Sequence, residues 1–396
     1  MRDFLLTDAD RAFRAEVREV ISRELLPRAP AIEDEDDWSA VRHVVSALGA
    51  AGYLALMFPD VYRGSLERPG LTHATLLSEE AAFVSYAFET TIATALSCAY
   101  PLDRYAAPEV RERFLPGLLA GQQIGAICVT EPHAGSDTSG MRTRIELDAA
   151  SGEWLVNGFK RYISNASVAD VYIVYGISDA AAPAGTSMSA AVVPADTPGI
   201  SFPRRYTLMG RRGSVVGEVE LRGCRVPANH LLGERHAAMR MMVDMFNFER
   251  VILGGSALGV ARSAFEIARR HAQEREAFGE KLGCKQLIWS RLADMSWRID
   301  AAELLTYRAA KLYDNGASGK ALMKAAAMAK LVATETATFC ADATVQILGG
   351  DGLTKEYGRA EQIFRDARAL PIVGGTSEMA RYLIASADLP AVKPNL

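Results

Sequence analysis

Glu249 is a candidate catalytic residue because its neighbours along the chain are mostly apolar. It follows Phe248 and precedes Val251 and Ile252 in a predicted helix. A carboxylate on such a face costs free energy unless it is paired or has a function. Desolvation raises the pKa of a carboxyl group, which suits a general base that removes a weakly acidic proton. The residues alone leave a second interpretation open, in which Glu249 is salt-bridged to a neighbouring arginine or exposed at a helix turn.

A second candidate site is a turn rich in hydroxyl groups that follows a predicted strand. The segment 126–137 contains Thr130, Gly135 and Ser136. Their hydroxyls and backbone N–H groups could hydrogen-bond the carbonyl or phosphate oxygens of a cofactor. An ordinary surface turn is the simpler interpretation of this segment by itself. The chain contains no G-x-G-x-x-G, so a Rossmann-type dinucleotide site is not indicated.

Two further segments carry groups that suit a cofactor. Tyr162 and Ser164 lie in a predicted strand, where an exposed serine in a plain hairpin is the alternative. Arg275 has forked donors that can pair with a pyrophosphate, although a solvated helix end explains it equally well. The five cysteines have no CxxC spacing and no histidine at ligand spacing, so reduced thiols and no metal site are predicted.

Composition places the chain among ordinary globular proteins. Its 396 residues suggest two or three domains, with 49% hydrophobic and 23% charged residues. A net charge of −4 gives no sign of a nucleic-acid partner. No run of 18 or more apolar residues occurs, and the N-terminal residues lack the pattern of a signal or transit peptide. We therefore predict a cytoplasmic protein with no membrane partner.

The elements that must position these residues fall into three regions of different periodicity. Apolar residues recur at helical spacing in residues 1–123, where Thr7 and Asp10 form a predicted capping box. Residues 124–235 alternate with a period of two and predict short strands in a sandwich or barrel. Residues 236–396 return to long helices, and a stripe of small residues from Leu322 to Ala343 suits a bundle.

Within the middle region, the sequence predicts specific strands. Ile145 and Leu147 are separated from Trp154 and Val156 by a turn-rich spacer, which predicts a β-hairpin. Further strands are predicted over 171–177, 190–193 and 215–221.

Several strings together resemble those of the acyl-CoA dehydrogenases, over residues 5 to 387. They are the segments 126–137, 157–165, 208–214, 275–279 with Gln286, 346–350, and 364–378. The resemblance implies a mainly α fold with an N-terminal helical domain, a central β-domain and a C-terminal four-helix bundle. It also implies a homotetramer with one FAD per subunit. His133 departs from the family, which usually has a small residue there.

The same resemblance implies the residues that contact FAD. They include Val129, Thr130, Gly135, Ser136, Tyr162, Ile163, Ser164, Thr376 and Glu378. The segment with Arg275, Phe278 and Gln286 resembles one that reaches the cofactor of a neighbouring subunit. Gln346, Gly349 and Gly350 match a further cofactor-contacting helix end. The residues that the resemblance places at the substrate are Ser136, Arg250, Gly374 and Gly375.

One position departs from the majority of the family. Many members carry the catalytic Glu immediately before a Gly-Thr pair, where this chain has Gly374. A minority branch, which includes isovaleryl-CoA dehydrogenase, places its base at the position that Glu249 matches. The resemblance therefore implies that Glu249 removes the α-proton of an acyl thioester while the β-hydrogen leaves as a hydride to flavin N5. Gly374 retains only a backbone N–H, which can donate to the thioester oxygen.

Other functions remain open at this stage. Some proteins of this fold are flavin oxidases or N-hydroxylating monooxygenases, and a catalytically silent protein that binds acyl thioesters or flavin is a third possibility. The presence of Glu249 weighs against the monooxygenase, and the strings that resemble a flavin site, together with Glu249, argue against the silent protein. The acyl chain is unknown, its carrier is either coenzyme A or an acyl carrier protein, and an electron-transfer flavoprotein is a possible partner.

Overall fold

The computed structural model describes residues 6–32, 38–62, 70–183, 186–389 and 391. Helices form both ends of the chain and a sheet lies between them, so the predicted mainly α fold with a central β-domain is confirmed. The N-terminal helices are α1 (Asp8–Glu24), α2 (Ala29–Ile32), α3 (Ser39–Ala50), α4 (Leu71–Val84), α5 (Tyr86–Tyr105) and α6 (Pro108–Leu119).

The start of α1 shows how local sequence positions the first helix. Thr7 Oγ1 accepts a hydrogen bond from Asp10 N at 3.1 Å, and Thr7 N donates to Asp10 Oδ2 at 2.9 Å. These bonds are the predicted capping box, which satisfies donors that a helix start leaves free. In contrast, α4 and α5 are buried on almost every side, because other helices cover both and the sheet also covers α5.

The central strands form a seven-stranded sheet in the order β1-β4-β2-β3-β7-β6, with β5 paired to β4. Antiparallel β2 and β3 align Ile145 with Val156 and Leu147 with Trp154, so the predicted hairpin is present. The strands are β1 (Gly125–Cys128), β2 (Arg144–Leu147), β3 (Trp154–Ser164), β4 (Val171–Ile177), β5 (Met188–Pro194), β6 (Ile200–Ser201) and β7 (Val216–Val226).

The C-terminal part is built around two long parallel helices. α7 and α9 pack along each other, and α9 also contacts the three remaining helices of this region. The elements are α7 (Ala238–Glu274), the hairpin β8 (Glu276–Ala277) and β9 (Glu280–Lys281), α8 (Gln286–Asp314), α9 (Gly319–Leu348), α10 (Ala360–Ala367) and α11 (Ser377–Asp388). α7 is long and apolar enough to cross a membrane, but 78% of its most apolar window is buried inside the fold, as in a core helix.

Glycines on α7 allow it to lie unusually close to its neighbours. A Cβ on Gly255 would stand 2.6 Å from the carbonyl oxygen of Thr75 in α4. A Cβ on Gly259 would overlap the carbonyl oxygen of Glu79 and stand 2.7 Å from Phe83 N. Because these atoms belong to backbone, they cannot turn aside as a side chain can. The glycines therefore determine how closely α4 packs against α7.

Buried charges reinforce the same contact. The Glu79 side chain is fully buried in α4, and it pairs with Arg14 of α1 and Arg262 of α7. It also accepts a hydrogen bond from the hydroxyl of Tyr307 in α8. Four helices thus meet at one carboxylate, whose partners compensate for the cost of burying it.

We expect Gly259→Ala to destabilise the protein. The added methyl group must push α4 and α7 apart, and overpacking of this kind costs roughly 1–3 kcal/mol. That cost exceeds the gain of up to about 1 kcal/mol that alanine has over glycine within a helix. Thermal unfolding followed by circular dichroism should show a midpoint several degrees lower. Gly350→Ala is the control, since its Cβ would meet nothing within 4 Å, and an equal midpoint for both variants would contradict the prediction.

Candidate active site

Glu249 lies on α7, and its carboxyl group faces the loop at Gly374. Its side chain is partly accessible, while Phe248 and Val251 beside it are buried. Burial raises the pKa of Glu249 to about 7, although the charges of Arg250 and Lys330 act in the opposite direction. A carboxyl group with such a pKa can both lose and accept a proton near neutral pH.

Gly374 lies directly across from this carboxyl group. A Cβ on Gly374 would stand 3.6 Å from Glu249 Oε1 and 2.9 Å from Leu253 Cδ2. Gly374 and Gly375 have φ of +64° and +90°, a conformation that favours glycine. Neither backbone N–H donates to another group in the described part of the chain. The loop therefore offers free donors close to the carboxylate.

Lys330 connects this loop to the carboxylate. It is a fully buried residue of α9, and its Nζ donates to the carbonyl oxygen of Gly375 at 2.7 Å. Burial lowers the pKa of Lys330 to about 8. The positive charge of Arg250 lowers this pKa further, whereas the negative charge of Glu249 raises it. Arg250 itself donates to Asn247 Oδ1 at 3.1 Å. Glu249 is thus partly stabilised by two cations and forms a direct ion pair with neither.

The turn after β1 is held in place by a buried ion pair. Lys160 Nζ lies 2.8 Å from Glu131 Oε1 and donates to the carbonyl oxygen of Val129 at 3.0 Å. Glu131 also accepts the backbone N–H groups of Arg142, at 2.6 Å, and Thr143, at 3.0 Å. Although burial alone raises it, these partners keep the pKa of Glu131 below its usual value. The ion pair fixes the turn against β3.

Beyond the ion pair, the turn presents donors to solvent. The N–H groups of Gly135, Ser136 and Asp137 donate to no group among the residues that the structure describes. A Cβ on Gly135 would meet nothing within 4 Å. Such a row of free backbone donors fits the oxygens of a phosphate or of a heterocyclic carbonyl.

A bulge in β3 turns Tyr162 outward. The register between β3 and β7 shifts between Lys160 and Ile163, and Tyr162 has φ of +57°. Its ring is 55% exposed, next to Ser164, which is partly accessible. Arg161 N donates to the carbonyl oxygen of Thr130 at 3.0 Å, which joins this strand to the turn. An exposed aromatic ring and a hydroxyl on a strand joined to that turn fit a large planar cofactor with a phosphate tail. The residues present therefore fit FAD.

Contacts between domains bring this strand end towards the helices. Asn165 Nδ2 donates to the carbonyl oxygen of Thr91 in α5 at 3.2 Å. On the other side, Arg365 Nη1 donates to the carbonyl oxygen of Met209 at 3.0 Å, and Arg211 N donates to Asp366. The end of β3 thereby contacts α5, and the loop before β7 contacts the segment that leads to Gly374.

Apart from those in the turn after β1 and in β3, the predicted site residues fall into two groups in one chain. Near α11 and the N-terminal part of α7 lie Glu249, Arg250, Gly374, Gly375, Thr376 and Glu378. The second group consists of Arg275, Phe278, Gln286, Gln346, Gly349 and Gly350, at the other end of α7 and α9. Arg275 follows Glu249 by 26 positions, which corresponds to about 39 Å along a straight helix. One chain does not place both groups around the same point.

Sequence reasoning missed Lys330, Glu131 and Lys160. Lys330 follows the run Ala325–Ala329, in which only Met328 is not alanine, so it carried the same signal as Glu249, a charge among apolar residues. Glu131 lies within the segment 126–137 and Lys160 within the segment 157–165, but their pairing depends on tertiary structure.

Comparison with known proteins identifies relatives along the whole chain. The families described as the N-terminal, middle and C-terminal domains of acyl-CoA dehydrogenase match residues 7–122, 126–224 and 239–388. The chain is 33% identical to the probable acyl-CoA dehydrogenase YngJ of Bacillus subtilis, over 97% of this chain and 98% of the relative. It is 32% identical to the mitochondrial isovaleryl-CoA dehydrogenase of Pongo abelii, over 96% and 89%.

The fold of the chain is also similar to that of a solved structure. A glutaryl-CoA dehydrogenase from Mycobacterium smegmatis in complex with FADH2 superposes with a TM-score of 0.88 at 26% identity, covering 100% of this chain and 98% of that one.

The titration of Glu249 provides a test of the charges around it. Without ligand, we expect its carboxyl group to titrate near pH 7, seen as the carboxyl band that infrared difference spectra lose in Glu249→Gln. Lys330→Met removes a cation that favours the carboxylate, so the pKa of Glu249 should rise further. Lys324→Met removes a half-buried charge of the same helix, which pairs with Asp388 and is not among the charges that act on Glu249. This variant should leave the pKa of Glu249 unchanged. A midpoint near 4.5 in the wild type, or no shift in Lys330→Met, would show that the electrostatics are wrongly assigned.

Proposed function

The chain belongs to the acyl-CoA dehydrogenase family, and we propose that Glu249 is the base with which it dehydrogenates an acyl thioester. The family and its FAD-dependent chemistry at a CH–CH bond follow from the comparisons. The observation that carries the assignment of the base is the position of Glu249 Oε1, 3.6 Å from where a Cβ of residue 374 would lie. The proposed carboxylate thus occupies the place that a side chain at position 374 would reach.

The α-proton of a thioester is weakly acidic, so its removal needs a base with a raised pKa. Burial raises the pKa of Glu249 in this way, and the positive charges of Arg250 and Lys330 keep a fraction of its side chains in the carboxylate form. As the proton leaves, negative charge develops on the thioester oxygen. The free N–H groups of Gly374 and Gly375 are donors that could stabilise this charge. Lys330 holds the loop in position through the carbonyl oxygen of Gly375.

The cofactor is proposed to lie between the β-domain and the helices. The residues proposed to hold it from the same subunit are Thr130, Gly135, Ser136, Tyr162, Ile163 and Ser164. Bound FAD supplies the acceptor for the β-hydrogen, which leaves as a hydride. The Tyr162 bulge and the turn held by Glu131 are what support this placement.

The carrier of the acyl group is proposed to be coenzyme A or an acyl carrier protein, with an electron-transfer flavoprotein as the electron acceptor. The oxidase, monooxygenase and silent alternatives are not favoured by the relatives. Absorbance of the purified protein tests the silent alternative, which predicts no bound flavin.

The base is tested by Glu249→Gln, which preserves the shape of the side chain and removes its basicity. We expect FAD to remain bound and anaerobic flavin reduction by acyl thioesters to slow by about 10²–10⁴-fold, which is typical of a positioned general base. Stopped-flow absorbance measures this rate. Glu266→Gln, which removes a carboxylate elsewhere on α7, should retain the wild-type rate. If Glu249→Gln reduces its flavin as fast as the wild type, another residue carries the proton.

We further propose that the chain acts as a homotetramer. The second group of cofactor residues lies too far from Glu249 to serve the same FAD, so a neighbouring chain would bring its copy. In support, Phe278 is 96% exposed at the tip of the β8–β9 hairpin, where φ is positive at both Phe278 and Gly279. An exposed aromatic ring on a defined turn suits contact with another subunit.

Light scattering should therefore give a mass well above the 42.8 kDa of one chain. Phe278→Asp should lower both this mass and the retained FAD, because it places a charge in the proposed contact. Val61→Asp, which also changes a highly exposed apolar residue, is the control. A monomeric protein that keeps its full complement of FAD would refute the proposal.

A further inference from the structure

Lys330 is a buried cation that has no carboxylate as a direct partner among the described residues. Its side chain on α9 is 0% exposed, and its Nζ donates to a backbone carbonyl oxygen, that of Gly375, at 2.7 Å. The equally buried Lys160 differs, because it lies 2.8 Å from a carboxylate oxygen of Glu131. A buried charge costs free energy unless it is paired, so the position of Lys330 requires an explanation.

The hydrogen bond of Lys330 reaches the peptide group between Gly375 and Thr376. The carbonyl oxygen of this trans peptide faces Lys330, so the N–H of Thr376 points to the opposite side. This N–H and those of Gly374 and Gly375 donate to no group in the part of the chain that the structure describes. A charged donor on the carbonyl oxygen polarises the peptide and makes its N–H a stronger donor. Lys330 thus acts on one end of a row of three free donors.

This row of donors lies at the carboxyl group that is proposed as the base. A Cβ on Gly374 would stand 3.6 Å from Glu249 Oε1, and a Cβ on Gly375 would stand 3.8 Å from Arg250 Nη2. One short loop therefore binds Lys330 of α9 and approaches both charged residues of α7.

Proton transfer to Glu249 moves negative charge from one place to another within the site. The bond between the α-carbon and its hydrogen breaks, the proton binds the Glu249 carboxylate, and the electron pair is delocalised towards the thioester oxygen. A cation promotes this step only if it stabilises charge on that oxygen more than charge on the carboxylate. Lys330 is hydrogen-bonded to the loop that carries the donors and forms no direct ion pair with Glu249. Its position therefore favours charge on the oxygen.

We propose that Lys330 is a positioning residue that enables the loop at Gly374 to stabilise negative charge on the thioester oxygen, acting through the carbonyl group of Gly375. This inference rests on the proposed function, because the charge arises in that reaction. It requires no contact between Lys330 and the thioester. The ammonium group fixes the orientation of the peptide and strengthens its N–H in advance of the reaction, as expected of a preorganised site.

The test measures the polarisation of a bound thioester carbonyl in the Glu249→Gln holoenzyme. Without the base the thioester stays unreacted, and any effect of Lys330 on the ionisation of Glu249 is absent. Butanoyl, hexanoyl and octanoyl thioesters of coenzyme A and of pantetheine carry a ¹³C label at the carbonyl, whose infrared stretch is compared with that in water. We expect a lower frequency on the protein, because the donors of the loop polarise the carbonyl.

Additional substitutions in this background connect the frequency shift to Lys330. Lys330→Met removes donor and charge, whereas Lys330→Gln removes the charge and retains an N–H donor. Both should lose most of the shift, and Lys324→Met on the same helix should retain it. An unchanged shift in Lys330→Met, or a full shift in Lys330→Gln, overturns the proposal. If Lys330→Met does not fold, Lys330→Gln decides.

Kinetics separate this role from a merely structural one. With Glu249 intact, Lys330→Gln should slow anaerobic flavin reduction at saturating thioester about tenfold to hundredfold, as for a lost hydrogen bond to a charged group. The Kd of the thioester, measured from flavin absorbance, should change less than the rate, and the reverse order overturns the proposal. If Glu249→Gln slows the reaction but Lys330 does not affect the carbonyl stretch, only the present inference fails. If no thioester reduces the wild-type flavin, the proposed function has failed.

Discussion

The close packing of α4 against α7 is the constraint on which the rest of the structure depends. Gly255 and Gly259 bring the α4 backbone almost into contact with α7, and the carboxylate of Glu79 ties the same contact to α1 and α8. Glu249 lies nearer the start of α7, and Arg275 follows directly after its end. Because one rigid helix passes through all of these environments, a shift at its glycine face would move the proposed base relative to the loop at Gly374.

The charges of the site show a balance between burial and pairing. A fully paired carboxylate would have a low pKa and would be a poor base, whereas an isolated buried one would remain protonated. The charges of Arg250 and Lys330 lower the pKa of Glu249, but neither residue forms a direct ion pair with it. Glu131 differs because Lys160 and two backbone donors satisfy it completely, and it serves to hold a turn. The two carboxyl groups thus have different pKa values, because Glu131 has direct partners and Glu249 has only nearby charges.

Sequence periodicity predicted local structure where each residue's neighbours determine it. The alternation in residues 145–156 predicted the hairpin, and the capping box at Thr7 predicted the start of α1. The burial of α4 and α5 on nearly all sides could not be read in this way, because it depends on which helices cover them. Lys330 carried the signal of a charge among apolar residues and was nevertheless overlooked. Glu249 was recognised from its apolar neighbours, but its encounter with Gly374 is a long-range contact that only the family resemblance indicated.

The geometry at residue 374 explains why glycine and Glu249 belong together in this chain. A side chain at this position would start from a left-handed backbone, which disfavours any residue with a Cβ. Its first carbon would already stand 2.9 Å from Leu253 Cδ2 and close to the Glu249 carboxylate. A second carboxylate would then face Glu249 across a space with little solvent, and like charges at that distance cannot both be ionised. The carboxylate of Glu249 therefore disfavours a second carboxylate at position 374. Glycine at this position leaves the loop free to present its N–H groups instead.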